Sequence, residues 1–511
     1  MLKGTRRVER EAVDEGHDVA VDELVGLEIG TDDEPLYRQI YARIRDRIIS
    51  GRLAPGSRLP STRDLAAELG CSRNTVLNAY EQLFAEGYTT AAYGGGTRVS
   101  DELPDQPAEE AAALTPSSVA RSSERPQQAS NLLGVLSSVP IHPELRLFDP
   151  GLPAVDQFPF ATWAKLYADV WREPEPRLLR CVDPLGLPEL REAIAAYVRA
   201  ARGVLCTADN VVVTSGTTQS IDLIMRLLLA RGEKVWVEEP GVPSVPAVVR
   251  LNGGGPVPVG VDTEGLDVDA GERLAPQARI VVVTPSHQYP LGCAMSLARR
   301  LQLLQWAQRT GAWIVEDDYD GEFRYQGRPL ASLQSLDTSG LVLYVGTFSK
   351  ILFPGLRVGY VVLPQVLIDL FRAARYATDF LTGMPTQAVR VRFIAEGHLG
   401  THVRRMRRQY GERQAAFVDA LHRELGDRLG AVAHPAGLHV VARLAPDAAR
   451  GTTDAELADR AADAGYTVRP LSGFYSNRRS AQQGLLLGYA SVPARAAPVQ
   501  ARALRHALFG R

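Results

Sequence analysis

At 511 residues the chain is too long for one ordinary domain, and roughly two to four are expected. Its composition, 45% hydrophobic and 23% charged, is that of a soluble globular protein with a sizeable core. A net charge of −2 excludes a uniformly basic nucleic-acid binder, and no uncharged apolar run approaches the roughly 18 residues of a membrane helix.

The N-terminus, with Arg6 and Arg7 followed by acids, lacks the apolar core of a signal peptide, so a cytoplasmic protein is expected. Residues 1–34 carry eleven acids against four basic residues and no clear periodicity, which predicts a flexible acidic extension. Residues 35–100 reverse the balance, with nine arginines against five acids. Here Leu36, Ile40, Ile44 and Ile48 recur every fourth residue, predicting an amphipathic helix that ends near Gly51. Ser61 caps a second, short helix stopped by Gly70, and Ser72 caps a third. The third has an expected inner face of Val76, Tyr80, Leu83 and Phe84. Tyr88–Ala92 and Arg98–Val99 flank a glycine tip and read as a hairpin.

Two short capped helices joined by Gly70-Cys71 have helix-turn-helix spacing, which places Ser72, Arg73, Asn74 and Thr75 at base edges. Arg63 and Arg73 suit phosphates or guanines, and the tip with Arg98 suits a wing beside the DNA backbone. On the helices alone, a small packing domain with solvated arginines is the better reading. The run Arg58-Leu59-Pro60-Ser61-Thr62-Arg63-Asp64-Leu65-Ala66, with Ser72-Arg73-Asn74-Thr75-Val76, Ala79-Tyr80, Leu83 and Gly87-Tyr88, resembles GntR-type winged helices. That resemblance implies DNA contacts by Arg63, Ser72, Arg73, Thr75, Gly94 and Gly95.

Residues 101–146 follow as a linker, rich over most of their length in Pro, Ser, Ala, Gln and Glu; Leu132–Leu136 is an apolar patch within it. From there to Pro364, apolar runs at Val211–Val213, Val235–Val237, Ile280–Val283, Trp313–Val315, Leu341–Val345 and Val358–Val362 alternate with helical stretches. Continuous Val/Ile/Leu runs of this kind predict strands buried on both faces of a mainly parallel sheet. A smaller α+β region then ends in Leu485–Tyr489 and a last helix. Cys71, Cys181, Cys206 and Cys293 form no CxxC pair and the nine histidines no ligand spacing, so buried reduced thiols and no metal site are expected.

The sharpest chemical signal lies at Val345-Gly346-Thr347-Phe348-Ser349-Lys350, with Arg357 seven residues on. An amine on a hydroxyl-rich turn, followed by a guanidinium, provides the parts of a pyridoxal phosphate site. Val211–Thr214 runs into Ser215-Gly216-Thr217, a small-residue turn at a helix start that suits a phosphate. Trp313–Val315 leads to Glu316-Asp317-Asp318-Tyr319-Asp320, whose acid suits a ring nitrogen and whose phenol suits a ring oxygen. Read alone, that acidic segment fits a metal-binding or solvated loop as well. Thr284-Pro285-Ser286-His287-Gln288-Tyr289-Pro290 offers further polar groups, His287 and Tyr289 among them, at the same sheet edge. All four segments follow strands, where open α/β sheets bind ligands.

In their order these segments, with the upstream reader, resemble the MocR-type regulators, which fuse a GntR winged helix to a fold-type-I aminotransferase-like domain. The resemblance covers about residues 35–511 and implies a multidomain chain: a winged helix-turn-helix at 35–100, a linker, and an α/β pyridoxal 5'-phosphate domain at 147–511. It implies that Lys350 forms the Schiff base, Asp317 pairs with the pyridine nitrogen and Tyr319 bonds the ring oxygen. Thr347, Ser349, Arg357 and Ser215–Thr217 then hold the phosphate. The Asp317–Tyr319 spacing, one shorter than in many aminotransferases, points to the regulator branch. Val242 stands where the family commonly stacks an aromatic residue, and Ser244 where some relatives place a carboxylate-binding arginine. Arg469, Arg478 and Arg479 are candidates to replace that arginine. The expected function is a homodimeric regulator that binds promoter DNA, with pyridoxal phosphate or its amine adduct as effector. An active aminotransferase with an accessory DNA-binding domain is the alternative.

Overall fold

The computed structural model describes residues 34–92, 96–103, 144–180, 183–327, 330–380, 382–448, 451–477 and 481–510. Residues 1–33 of the acidic extension and nearly all of the linker, with its apolar patch, lie outside them. The chain divides into two compact units, Met1–Glu124 and Arg125–Arg511.

In the first unit, helices α1 (Leu36–Ile49), α2 (Thr62–Glu68) and α3 (Arg73–Ala85) precede a hairpin of β1 (Thr89–Ala92) and β2 (Gly96–Val99). The helix starts follow their predicted caps: Ser61 Oγ accepts from the Asp64 amide and Ser72 Oγ from the Thr75 amide, each at 3.2 Å. Ile40, Ile44, Ile48, Leu65, Val76, Tyr80 and Leu83 form one core, as the four-residue periodicity requires. Phe84 does not join it. It is 56% exposed, because the buried stripe of α3 runs through Val76, Ala79, Tyr80 and Leu83, and Phe84 lies a step round the helix.

The second unit carries β3 (Val211–Thr214), β4 (Lys234–Glu239), β5 (Gly255–Asp262), β6 (Gly265–Leu266), β7 (Ile280–Val283), β8 (Trp313–Asp318), β9 (Val342–Thr347) and β10 (Gly359–Val362). They form one sheet in the order β3-β10-β9-β8-β7-β4-β5-β6. The pairs from β5 through β4, β7 and β8 to β9 are parallel, whereas β10 runs antiparallel between β9 and β3. The sheet is therefore mixed and mostly parallel. β3, β7, β9 and β10 are buried at every residue, and helices cover both faces. One side is anchored by Trp236 stacked on Trp306, ring centroids 3.9 Å apart.

β5 was not apparent from sequence, since Pro256 and Pro258 interrupt it. Its outer neighbour is the two-residue β6, and near a sheet edge a missing backbone donor is tolerated. A second, antiparallel sheet contains β11 (Leu429–Ala431), β12 (His439–Leu444), β13 (Arg469–Pro470) and β14 (Gly484–Gly488), in the order β11-β12-β14-β13. Helices His398–Leu425 and Ala497–Phe509 pack together beside it. Among the described residues no helix is long and apolar enough to cross a membrane, and no cluster of His, Cys, Asp and Glu could hold a metal ion. Cys71, Cys206 and Cys293 are free, and Cys206 alone of these is buried.

Candidate functional site

In the first unit, Arg63, Ser72, Arg73 and Asn74 are exposed where α2 and α3 begin. Tyr80 Oη donates to the Pro60 carbonyl at 3.0 Å, tying α3 to the segment that leads into α2. Arg73 Nε reaches Thr62 Oγ1 at 3.2 Å, which links the two helix starts. Ser72 Oγ also lies 2.8 Å from Thr75 Oγ1, so these hydroxyls serve the cap as well as any ligand. Arg98 donates to the Gly56 carbonyl at 2.8 Å, anchoring the hairpin. Gly94 and Gly95 lie outside the described residues.

In the second unit, parallel strands bring their C-terminal ends to one edge. β3 delivers the Ser215–Thr217 turn, β7 the Thr284–Tyr289 loop, β8 Asp317 and Tyr319, and β9 Thr347, Ser349 and Lys350. The result is a cavity of about 300 Å³ lined by Gly216, Thr217, Tyr289, Asp317, Tyr319, Thr347, Ser349, Lys350 and Arg357. Two residues expected there stand behind its wall. Ser215 donates its amide to Gln219 Oε1 at 2.6 Å, and His287 meets the Tyr319 hydroxyl through Nδ1 at 3.0 Å.

The amine of Lys350 donates to the Gly151 carbonyl at 2.9 Å. Burial, then the nearby Arg469 guanidinium, pulls its pKa below the usual lysine range, which favours the neutral, nucleophilic amine. Asp317 is 5% exposed, and its Oδ1 is buried without a hydrogen-bond partner. Burial first, then Asp318, Glu238 and Asp320, pushes its carboxyl well above the carboxylate range. Tyr319 is likewise raised, by burial and then by Asp320, so its phenol keeps its proton. Elsewhere in the wall, Gly216 caps the helix Thr217–Leu228, and the Arg357 guanidinium comes close: a Cβ on Gly216 would lie 3.5 Å from Arg357 Nη2. A helix N-terminus beside a guanidinium is an anion site. Arg357 occupies the left-handed region at φ 46°, while Arg390 bonds the preceding Leu356 carbonyl at 2.8 Å.

The cavity thus has an anion-binding end, a nucleophilic amine and a buried acceptor. The orphaned Asp317 Oδ1 fits a cationic ring N–H, and the whole set fits pyridoxal phosphate. Val242 and Ser244 also line the wall, as does Arg469. Arg469 pairs with Asp149 at 3.7 Å, and its Nε is buried without a partner. Of the three candidate arginines, Arg478 and Arg479 lie outside the described residues. Sequence reasoning missed Pro150 and Gly151, because nothing near them in the chain marks a ligand.

Comparison with known proteins matches residues 36–99 to the bacterial regulatory proteins of the gntR family and residues 153–484 to aminotransferase class I and II. The chain is 40% identical to the "Probable rhizopine catabolism regulatory protein MocR" of Rhizobium meliloti, over 90% of this chain and 91% of that protein. It is 31% identical to the pyridoxine biosynthesis transcriptional regulator PdxR of Corynebacterium glutamicum, over 89% and 92%. Among solved structures, LysN, the α-aminoadipate aminotransferase of Thermus thermophilus complexed with N-(5'-phosphopyridoxyl)-L-leucine, superimposes with a TM-score of 0.65. It is 28% identical and covers 76% of this chain and 95% of its own.

Proposed function

Since the chain belongs to the MocR-type regulators, a GntR helix-turn-helix joined to an aminotransferase class I and II domain, we propose that pyridoxal 5'-phosphate, bound in the second unit, controls promoter binding by the first. The observation that carries this reading is the buried, unpartnered Asp317 Oδ1 in the same cavity as Lys350.

Bound pyridoxal phosphate supplies an aldehyde that condenses with an amine and a ring that withdraws electrons. The residues divide the work of holding it. Lys350 offers the amine, which its burial keeps available in neutral form. Asp317 offers its unpartnered Oδ1 to the ring N–H, whose positive charge would draw the carboxyl back toward its ionised form, and Tyr319 offers its phenolic proton to the ring oxygen. Arg357, Thr347, Ser349 and the Thr217 helix start receive the phosphate. Val242 gives an aliphatic cover, and Arg469 offers a guanidinium for the carboxylate of an amine-bearing ligand, so the effector is the cofactor or its amine adduct. For the effector to regulate, its affinity must differ between the DNA-binding states of the protein.

On the reader, Arg63 and Arg73 supply phosphate or base contacts, Ser72, Thr75 and Arg98 contribute further ones, and the family resemblance adds Gly94 and Gly95. The protein acts as a homodimer on paired half-sites. The exposed Phe160, Trp171 and Leu179 support an interface with a second copy. Arg469 also favours a second reading, a working aminotransferase, which a steady-state transaminase assay separates from the first.

The direct test is the visible spectrum of the purified protein, followed by borohydride reduction and a peptide map. A yellow protein labelled on Lys350, and operator affinity that moves with added pyridoxal phosphate, are expected. Label on another lysine, or operator affinity that ignores the cofactor, rejects the proposal.

A further inference from the structure

His287 is not among the residues lining the cavity, yet its ring is held on two faces. It is 2% exposed, and its Nδ1 lies 2.9 Å from Asp320 Oδ2 and 3.0 Å from Tyr319 Oη. Its other face rests on Gly437, where a Cβ would come within 2.1 Å of His287 Cε1, at a backbone φ of +96° that already favours glycine. Three segments distant in sequence therefore meet at this ring: the loop after β7, the end of β8, and the lead into β12.

The protonation pattern follows from the partners. Asp320 is 1% exposed, and its carboxylate oxygen can only accept, so the 2.9 Å contact assigns the ring proton to Nδ1. Nε2 is buried with no partner. The other titratable groups facing it are His434 and His439, ring centroids 6.3 and 5.2 Å away. His439 Nε2 is engaged with the Pro290 carbonyl at 3.1 Å. With one proton on Nδ1, Tyr319 Oη meets His287 through a lone pair. The phenol's own hydrogen then finds no acceptor on that side.

We infer that His287 is a positioning residue: its single Nδ1–H, shared between Asp320 Oδ2 and the Tyr319 oxygen, leaves the phenolic proton no acceptor on that side and so turns it into the cavity that contains Lys350. A phenol that accepts one hydrogen bond is a stronger donor of another, and its orientation no longer has to be selected on ligand binding. This rests on the reading of the cavity as a pyridoxal phosphate site.

The experiment titrates the yellow absorbance of the pyridoxal phosphate-loaded protein against pH, alongside thermal unfolding. A phenol donating to the ring oxygen stabilises that oxygen's anionic form. Tyr319→Phe is therefore expected to raise the pH midpoint by about one unit. His287→Leu should move it in the same direction, and the double variant no further than Tyr319→Phe alone, because His287 acts through Tyr319. His287→Asn, whose amide can donate from the place of Nδ1, should keep the midpoint closer to that of the unaltered protein than His287→Gln, whose amide reaches the place of Nε2. If the leucine variant does not fold, the Asn and Gln pair carries the comparison. Unfolding temperatures that fall while every His287 midpoint stays put would mean a merely structural ring and overturn the inference alone. No yellow band in the unaltered protein would instead sink the cofactor reading and this inference with it.

Discussion

The Lys350 amine donates to the carbonyl of Gly151, 199 residues earlier in the chain, at 2.9 Å. Gly151 has φ +88°, and a Cβ there would stand 2.4 Å from Nζ. The amine is thus seated against bare backbone at a place where no other residue type leaves it room. Gly151→Ala is expected to leave the fold intact, since the flexible end of Lys350 can give way, but to misplace the amine. Borohydride labelling of Lys350 should fall about tenfold or more at limiting cofactor. Labelling as efficient as in the unaltered protein would contradict this role.

Asp317→Asn tests the orphaned acceptor. The amide cannot carry the negative charge that offsets a ring cation, so cofactor binding should weaken by about 1.5–3 kcal/mol. Equilibrium dialysis of the apoprotein with pyridoxal phosphate measures it, and an unchanged affinity would remove Asp317 from the site.

Arg469→Ala should spare cofactor binding and abolish any response of operator affinity to amino acids, because the guanidinium lines the cavity near the Lys350 amine and pairs with Asp149. Titrations with pyridoxal phosphate alone and then with a panel of amino acids separate the two. A surviving amino-acid response would assign the carboxylate contact elsewhere.

On the reader, Arg63→Ala and Arg73→Ala remove exposed cations from the starts of α2 and α3. Loss of a phosphate contact should reduce the salt slope of promoter binding by roughly one unit, and loss of a base contact should cost about 1–3 kcal/mol and relax specificity. Binding unaltered in both folded variants would defeat the assignment.

Glu322 offers a pH test of stability. Its carboxyl is 4% exposed, and burial, then Asp318, pushes its pKa from 4.5 up to about 7. A carboxyl raised on folding binds its proton more tightly in the native state. The stability it contributes is therefore present below pH 4.5 and lost as pH rises toward about 7. Oε2 has no partner, so an amide can replace the carboxyl without breaking a bond to that atom. Glu322→Gln should flatten the fall in unfolding temperature across this window, and an equally steep fall would show that Glu322 does not carry it.

Much of this protein was determined by its sequence alone. Ser61 and Ser72 start their helices because a hydroxyl satisfies an amide three residues on, a relation wholly contained in the local chain. The Val/Ile runs became buried strands, and the residues after them reached one edge, because parallel strands share a direction. Tertiary structure decided the rest. The antiparallel β10, the proline-bearing β5 beside a short edge strand, and the exposure of Phe84 depend on which neighbour each element meets. Gly151 against Lys350, Arg469 in the cavity wall and His287 behind Tyr319 are contacts across large sequence separations. Hydrophobic periodicity and capping report on a residue's own segment, so such pairings leave no mark in the chain until the sheet closes around them.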